Sequence, residues 1–172
     1  MEGELKYVTF DTEMGWVGLL ASARGLLAAT LPQPTDQAAH YSLGSRANQA
    51  VRSPASLTDL TELLKDYFRG KQVTFPDRLD LAGNTPFERA VWRMTRAIPY
   101  AETRSYLWVA TRINKPGAAR AVGQALGRNP LAIIIPCHRV VATDGGLGGF
   151  GGGLEMKQSL LSLEADGNLR RK

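Results

Sequence analysis

An apolar run, Ile133-Ile134-Ile135, is stopped by Pro136 and followed at once by Cys137-His138-Arg139, after which Val140-Val141 is apolar again. Such a run belongs inside the protein, as a buried strand or core segment. Pro136 fixes its own φ and drives Ile135 towards extended geometry, so the chain has to turn sharply where the polar triplet begins. Cys137 is the only cysteine and His138 one of two histidines. A lone cysteine is commonly a buried structural residue. Its neighbours point elsewhere, because a histidine and an arginine do not suit an apolar core unless paired. A thiol aimed out of a core by a rigid turn suits nucleophilic chemistry. If residues 137–141 coil into a helical turn, its free amides and dipole favour a thiolate.

The rest of the sequence narrows the class. A chain of 172 residues buries a proper core as one domain or two small ones. One cysteine excludes an internal disulfide framework. The segment Met1–Lys6 lacks a basic-then-apolar leader pattern and no apolar run reaches membrane-spanning length, so a cytoplasmic protein is expected. The net charge of +5 is uneven. Residues 1–84 hold 8 Lys+Arg against 10 Asp+Glu, whereas residues 85–172 hold 13 against 6. The second half is therefore the one that meets a polyanion, unless the charge merely solvates its surface.

The first half reads as a scaffold. Leu5–Asp11, Trp16–Ser22 and Leu26–Leu31 are predicted strands, joined by tight turns at Met14-Gly15 and Arg24-Gly25 in an antiparallel meander. A loop or partly helical connection fills 32–55, and His40 within it is expected at the surface without a metal. Ser56-Leu57-Thr58-Asp59 resembles a helix start, followed by a stripe of Leu57, Leu60, Leu63, Leu64, Tyr67 and Phe68 that Gly70 ends. Residues 71–84 are extended, and the domain boundary is expected at 84/85.

The second half opens on Thr85-Pro86-Phe87-Glu88, a capping box with proline at the first helical position. Phe87, Ala90, Val91, Met94 and Ile98 form its predicted buried stripe, and Pro99 stops the helix. Ser105 can cap a short helix with Tyr106, Val109, Ala110 and Ile113 on one face. The turn Asn114–Gly117 leads into a second, Ala118–Leu126. Two short helices about a four-residue turn describe a helix-turn-helix. Ala118, Ala119, Ala121, Gly123 and Ala125 keep the second helix smooth, with Arg120 the one long side chain among them. A helix offering so few side chains to base edges suits shape-directed DNA binding, although small residues also suit tight packing.

Residues 144–153 contain seven glycines but lack the Gly-Lys-Ser/Thr ending of a phosphate loop. The segment is expected to be a loop, anchored by Leu147 and Phe150, that admits a flat ligand close to backbone. A last helix is predicted from about Leu154 to Ala165, with Leu160, Leu161 and Glu164 clustered. A carboxylate on an apolar stripe wants a basic partner, and His138 would serve.

Taken together, Pro136-Cys137-His138-Arg139-Val140 resembles the active-site motif of the O6-alkylguanine-DNA alkyltransferases, the methylated-DNA–protein-cysteine methyltransferases. Ile98-Pro99-Tyr100, Thr103–Tyr106, Ala118–Gly123, Arg128-Asn129-Pro130, Gly152-Gly153-Leu154 and Leu160-Leu161 to Glu164 resemble further family blocks in the same order. The likeness covers residues 85 to about 165 closely and the first half loosely.

The resemblance implies an α/β two-domain fold. Residues 1–84 would form a small antiparallel sheet with a helix, ribonuclease-H-like. Residues 85–172 would form a helical DNA-binding and alkyl-transfer domain with a helix-turn-helix, winged-helix-like. By the same resemblance Cys137 is the alkyl acceptor, His138 takes its proton through a water, and Glu164 orients His138. Tyr106 assists the departing guanine, and Asn129 braces the cysteine turn. Backbone groups of Cys137, Val140 and Gly151 read the base, with Tyr106 and Phe150 lining its pocket. Arg120 fills the gap left by the flipped nucleotide, and Ala118, Ala119, Gly123, Thr103 and Tyr106 meet the DNA. The implied partner is duplex DNA read with little sequence specificity, bound as a monomer, with cooperative assembly on DNA as an open alternative. No cofactor is implied. No metal is expected either, because the zinc ligands that some relatives carry near the N-terminus are missing.

Phe150 and Gly151 stand where some relatives have Tyr and Ser, so the pocket is expected to be more open. Leu107-Trp108 is bulkier than that position in relatives. A non-catalytic lesion-recognition protein of the same fold is the alternative, and Cys137 argues against it. A repeatedly acting Cys-His-Glu hydrolase would differ in stoichiometry, and a sequence-specific regulator in its base preference.

Overall fold

The computed structural model describes residues 3–170, which divide into two compact units. Residues up to Gly83, with Pro130–Ala132, form the first; Asn84–Asn129 and the chain from Ile133 onward form the second.

In the first unit, β1 (Lys6–Thr12), β2 (Gly15–Ser22) and β3 (Gly25–Ala29) form the expected antiparallel meander. Gly15 and Gly25 sit at its turns with φ of 132° and 144°, a region side chains rarely occupy. A fourth strand, β4 (Val51–Arg52), runs parallel to β1 and gives the order β3-β2-β1-β4, so the sheet is mixed rather than wholly antiparallel. Its two residues lie in the connection expected to be a loop, too short to carry a strand pattern of their own. Helix α1 (Asp36–Ser42), capped by Thr35, covers one face of the sheet. Gly18 permits that approach, since a Cβ there would stand 3.0 Å from both the Ala39 carbonyl and Leu43.

Helix α2 (Thr58–Phe68) packs against β1, burying Leu60, Leu64, Tyr67 and Phe68. It starts later than Ser56 suggested. Residues 54–57 form a 3₁₀ turn instead, and the Ser56 hydroxyl bonds Ser53 Oγ at 2.8 Å rather than capping. His40 is half-buried, with its ring 4.8 Å from that of Tyr7. Leu131 bridges to Ala29, flanked by hydrogen bonds between Ala29 and residues 130 and 132, which is why this tripeptide joins the first unit.

The second unit is mainly helical. Helix α3 (Pro86–Arg96) carries the complete Thr85–Glu88 capping box. Its buried face differs from the predicted stripe: Val91, Trp92, Thr95 and Ile98 are buried, whereas Phe87, Ala90 and Met94 are only partly so. The stripe rotates because Trp92 Nε1 donates to the Ala125 carbonyl at 3.0 Å and Thr95 Oγ1 to Val91 O at 2.8 Å, which makes both polar residues compatible with the core.

Strand β5 (Arg104–Ser105) leads directly into α4 (Tyr106–Arg112), where Ser105 accepts from Trp108 N at 2.9 Å. Asn114, at φ 62°, makes the turn to α5 (Ala119–Gly127). β6 (Val140–Val141) pairs in parallel with β5. Last comes α6 (Leu154–Arg170), five residues longer than predicted, with Gly167 buried in it rather than ending it. Among the described residues no helix is long and apolar enough to cross a membrane.

Candidate active site

Ile133, Ile134 and Ile135 are buried as expected but form turns, not a strand. Ile133 stands at φ 71°, a region costly for a β-branched residue, so the surrounding packing must impose it. The chain then makes a 3₁₀ turn of three residues, Cys137–Arg139. This is not an α-helix, so the dipole that would favour a thiolate is largely missing.

Burial pushes the Cys137 thiol up from its ordinary value, only partly countered by a hydrogen bond from Asn129 and the charge of Lys157. The expectation of a helix-stabilised thiolate is therefore corrected: desolvation favours the protonated thiol. Asn129 Nδ2 donates both to Cys137 Sγ at 3.2 Å and to the Ile135 carbonyl at 2.9 Å, fixing the sulfur to the turn that precedes it.

Behind the cysteine, His138 and Glu164 are buried, with Nε2 and Oε2 2.5 Å apart. Glu164 is held by more than His138. Arg139 Nε donates to Oε1 at 2.8 Å and Nη2 to Oε2 at 3.1 Å, and the amide of Ala101 donates to Oε1 at 3.1 Å. Arg139 Nη1 donates to the Ile98 carbonyl at 2.8 Å. Burial alone would raise the Glu164 carboxyl, but His138 and the Arg139 fork outweigh it and hold it near 2. Burial lowers His138, with Arg139 and Lys157 adding to the effect against the pull of Glu164. The pair is a carboxylate beside a neutral imidazole, the form able to accept a proton.

Lys157 is fully buried on α6. Its ammonium donates to the carbonyls of Val140 at 2.7 Å and Gly149 at 3.2 Å, and also to that of Leu147. It lies 5.8 Å from the Tyr106 ring and 5.9 Å from that of Phe150. Sequence reasoning missed it, and missed the Arg139 fork. The signal was the one that picked out Glu164, since Lys157 is a charge at i−3 from Leu160 and i−7 from Glu164 on the same helical face.

Tyr106 closes the other side. Its hydroxyl donates to Gly149 O at 3.4 Å, and burial raises its pKa, which keeps the phenol protonated. Gly148 and Gly123 both approach the ring: a Cβ on Gly148 would stand 2.5 Å from the hydroxyl, and one on Gly123 3.6 Å from the ring. The Val140 amide donates to Cys137 O while its carbonyl receives Lys157. Gly151 is exposed, with nothing within 4 Å of an added Cβ, and Phe150 is half-buried.

The fold thus gathers Cys137, His138, Glu164, Asn129, Tyr106, Val140 and Phe150 into one unit. Of the residues expected on DNA, Tyr106 belongs to this cluster and Gly123 approaches its ring, and the others lie on α5 and its approach. Arg120 is exposed on α5, Ala118 is the N-cap, Ala119 and Gly123 are half-buried, and Thr103 is exposed before β5. Among the described residues no cluster of three His, Cys, Asp or Glu side chains could hold a metal.

A small-sheet unit and a mainly helical unit that carries one braced thiol define a two-unit thiol protein. Residues 86–166 match the family described as 6-O-methylguanine DNA methyltransferase, DNA binding domain. The methylated-DNA–protein-cysteine methyltransferase of Mycolicibacterium paratuberculosis is 52% identical over 114 residues, 66% of this chain and 68% of that one. Its namesake in Methanosarcina barkeri is 51% identical over 107 residues, 62% and 66% respectively. The crystal structure of Mycobacterium tuberculosis OGT in complex with DNA superposes with a TM-score of 0.81 at 39% identity over 94% of both chains. The chain belongs to the methylated-DNA–protein-cysteine methyltransferase family.

Proposed function

We infer that this protein repairs DNA by direct reversal, moving the alkyl group of O6-alkylguanine in duplex DNA onto Cys137. His138 takes the thiol proton through a water, with its ring held by Glu164, and the sulfur attacks the alkyl carbon as the carbon–oxygen bond breaks. Tyr106 supplies a proton to the departing guanine, which leaves as a neutral base. The raised phenol supports that role, since it stays protonated until called upon. Arg120 takes the space of the flipped nucleotide, and Ala118, Ala119, Gly123 and Thr103 let α5 and its approach lie close to the duplex. Cys137, Val140 and Gly151 meet the base through backbone, with Phe150 beside it. A thioether is not reversed by anything in the site, so each molecule acts once.

The observation that carries this reading is the thiol of Cys137, 3.2 Å from Asn129 and followed in sequence by the buried His138–Glu164 pair, in a chain of this family. The order β3-β2-β1-β4 with β4 parallel to β1 supports a ribonuclease-H-like scaffold over 1–84, and the helix-turn-helix with the β5–β6 pair supports a winged-helix-like domain over 85–172. We take the protein to act as a monomer in the cytoplasm, on the DNA there.

Incubation with a duplex bearing one O6-methylguanine, followed by intact and peptide masses, tests this. One added methyl on the Cys137 peptide, stopping at one per molecule and absent in Cys137→Ser, is expected. Tight lesion binding without an adduct would leave a recognition protein instead.

A further inference from the structure

From Thr103 to Thr143 the chain contains Arg104, Arg112, Lys115, Arg120, Arg128 and Arg139 and no Asp or Glu. Two of these arginines share one aromatic ring. The guanidinium carbon of Arg104 lies 5.5 Å from the Trp108 ring centroid and that of Arg112 5.1 Å, at i−4 and i+4 from the tryptophan. Such stacking confines two long side chains without consuming their N–H edges.

The remaining contacts differ. Arg104 also donates to Thr103 O at 2.8 Å and Glu102 Oε1 at 2.9 Å. Arg112 is exposed, in the last turn of α4, and makes no ion pair among the described residues. A tryptophan left half-buried between two cations, one without an anion, is a surface prepared for a partner that brings negative charge.

We propose that the Arg104–Trp108–Arg112 ladder, running from β5 to the last turn of α4, is a phosphate clamp that grips the sugar–phosphate backbone of duplex DNA beside the lesion. In a helix-turn-helix the first helix crosses the backbone while the second lies in a groove. Trp108 and Arg112 stand on that first helix and Arg104 on β5, which pairs with β6 directly after the Cys137 turn, so a phosphate held here fixes the register of the strand against the reacting thiol. This rests on the proposed function, but it adds residues and a contact that the reaction does not require. The bulk of Trp108 then has a purpose: it holds Arg112, and shares Arg104 with Glu102, in the orientation a phosphate oxygen needs.

The test is equilibrium binding of the full chain to an undamaged, end-labelled duplex across a series of NaCl concentrations. The wild type is compared with Arg112→Gln, Arg112→Lys and Trp108→Leu, each checked for folding by thermal melting. Loss of one phosphate contact lowers the magnitude of the log–log salt slope by about 0.9. Arg112→Gln is expected to show that drop and weaker binding, and Arg112→Lys to restore the slope. Trp108→Leu keeps both charges and is expected to weaken binding with the slope nearly kept. An unchanged slope and affinity in a folded Arg112→Gln would overturn the clamp, and unchanged affinity in Trp108→Leu would overturn the ordering role of the ring. Alkyl transfer by the wild type is measured separately: its absence would sink the proposed reaction, whereas the clamp is judged on duplex binding alone.

Discussion

Glu164 Oε2 lies 2.5 Å from His138 Nε2 in the core of the second unit, while Arg139 and the Ala101 amide occupy the rest of the carboxylate. One carboxylate therefore anchors an imidazole, a guanidinium and a backbone turn at once. Removing it strands buried polar groups, which is the costly case for a buried ion pair.

Glu164→Ala should accordingly lose about 3–5 kcal/mol of stability, with the melting temperature falling by roughly 10 °C. Calorimetric melts of the two proteins decide it. A variant melting within a degree of wild type would mean that the pair contributes nothing to folding.

Acid should act through the same pair. Glu164 is held near 2 in the folded protein, below its unfolded value, so its contribution is full above pH 4.5 and is lost as pH falls towards 2. His138 is lowered by burial, so protonation of the unfolded chain already erodes stability as pH falls below 6.5. Urea midpoints should thus decline from pH 6.5 downward and steepen below 4.5. A flat profile from pH 7 to 3 would contradict both shifts.

The half-buried Cys137 thiol should behave as a weak acid. Its iodoacetamide alkylation rate should keep rising with pH beyond the midpoint of an ordinary thiol, because burial outweighs Asn129 and Lys157. Asn129→Ala removes the 3.2 Å donor and should move the midpoint further up. A rate already saturated at neutral pH would show a resting thiolate.

Lys157→Met should release the glycine loop, whose Leu147 and Gly149 carbonyls the ammonium gathers. We expect trypsin-independent cleavage within residues 144–153, read by mass after brief exposure to a non-specific protease, and at least a tenfold slower alkyl transfer. A loop as resistant as in the wild type would show that Lys157 does not hold it.

Two glycines of that loop should respond oppositely to alanine. At Gly148 a Cβ would stand 2.5 Å from the Tyr106 hydroxyl, at φ 70°, so about 1–3 kcal/mol should be lost. At Gly151 nothing lies within 4 Å, and the change should remain within about 0.5 kcal/mol. Chemical denaturation of both variants makes the comparison.

Features that depend on neighbours along the chain could be read from the order of residues alone. The Thr85–Glu88 box, the Ser105 cap, the strand-turn-strand pattern through Gly15 and Gly25, and the Cys137-His138 turn were legible because their donors, acceptors and φ restrictions lie within four residues. Glu164 was legible as a charge on an apolar stripe. Tertiary structure decided what depends on residues brought together from afar. It buried Lys157 beneath carbonyls 8 to 17 positions away, folded Arg139 onto Glu164, and turned Trp92 inward towards Ala125. It also raised the cysteine that local reasoning would have lowered. A helix dipole can be argued from a short segment, but desolvation belongs to the whole enclosure around the sulfur, and only the packed fold supplies that.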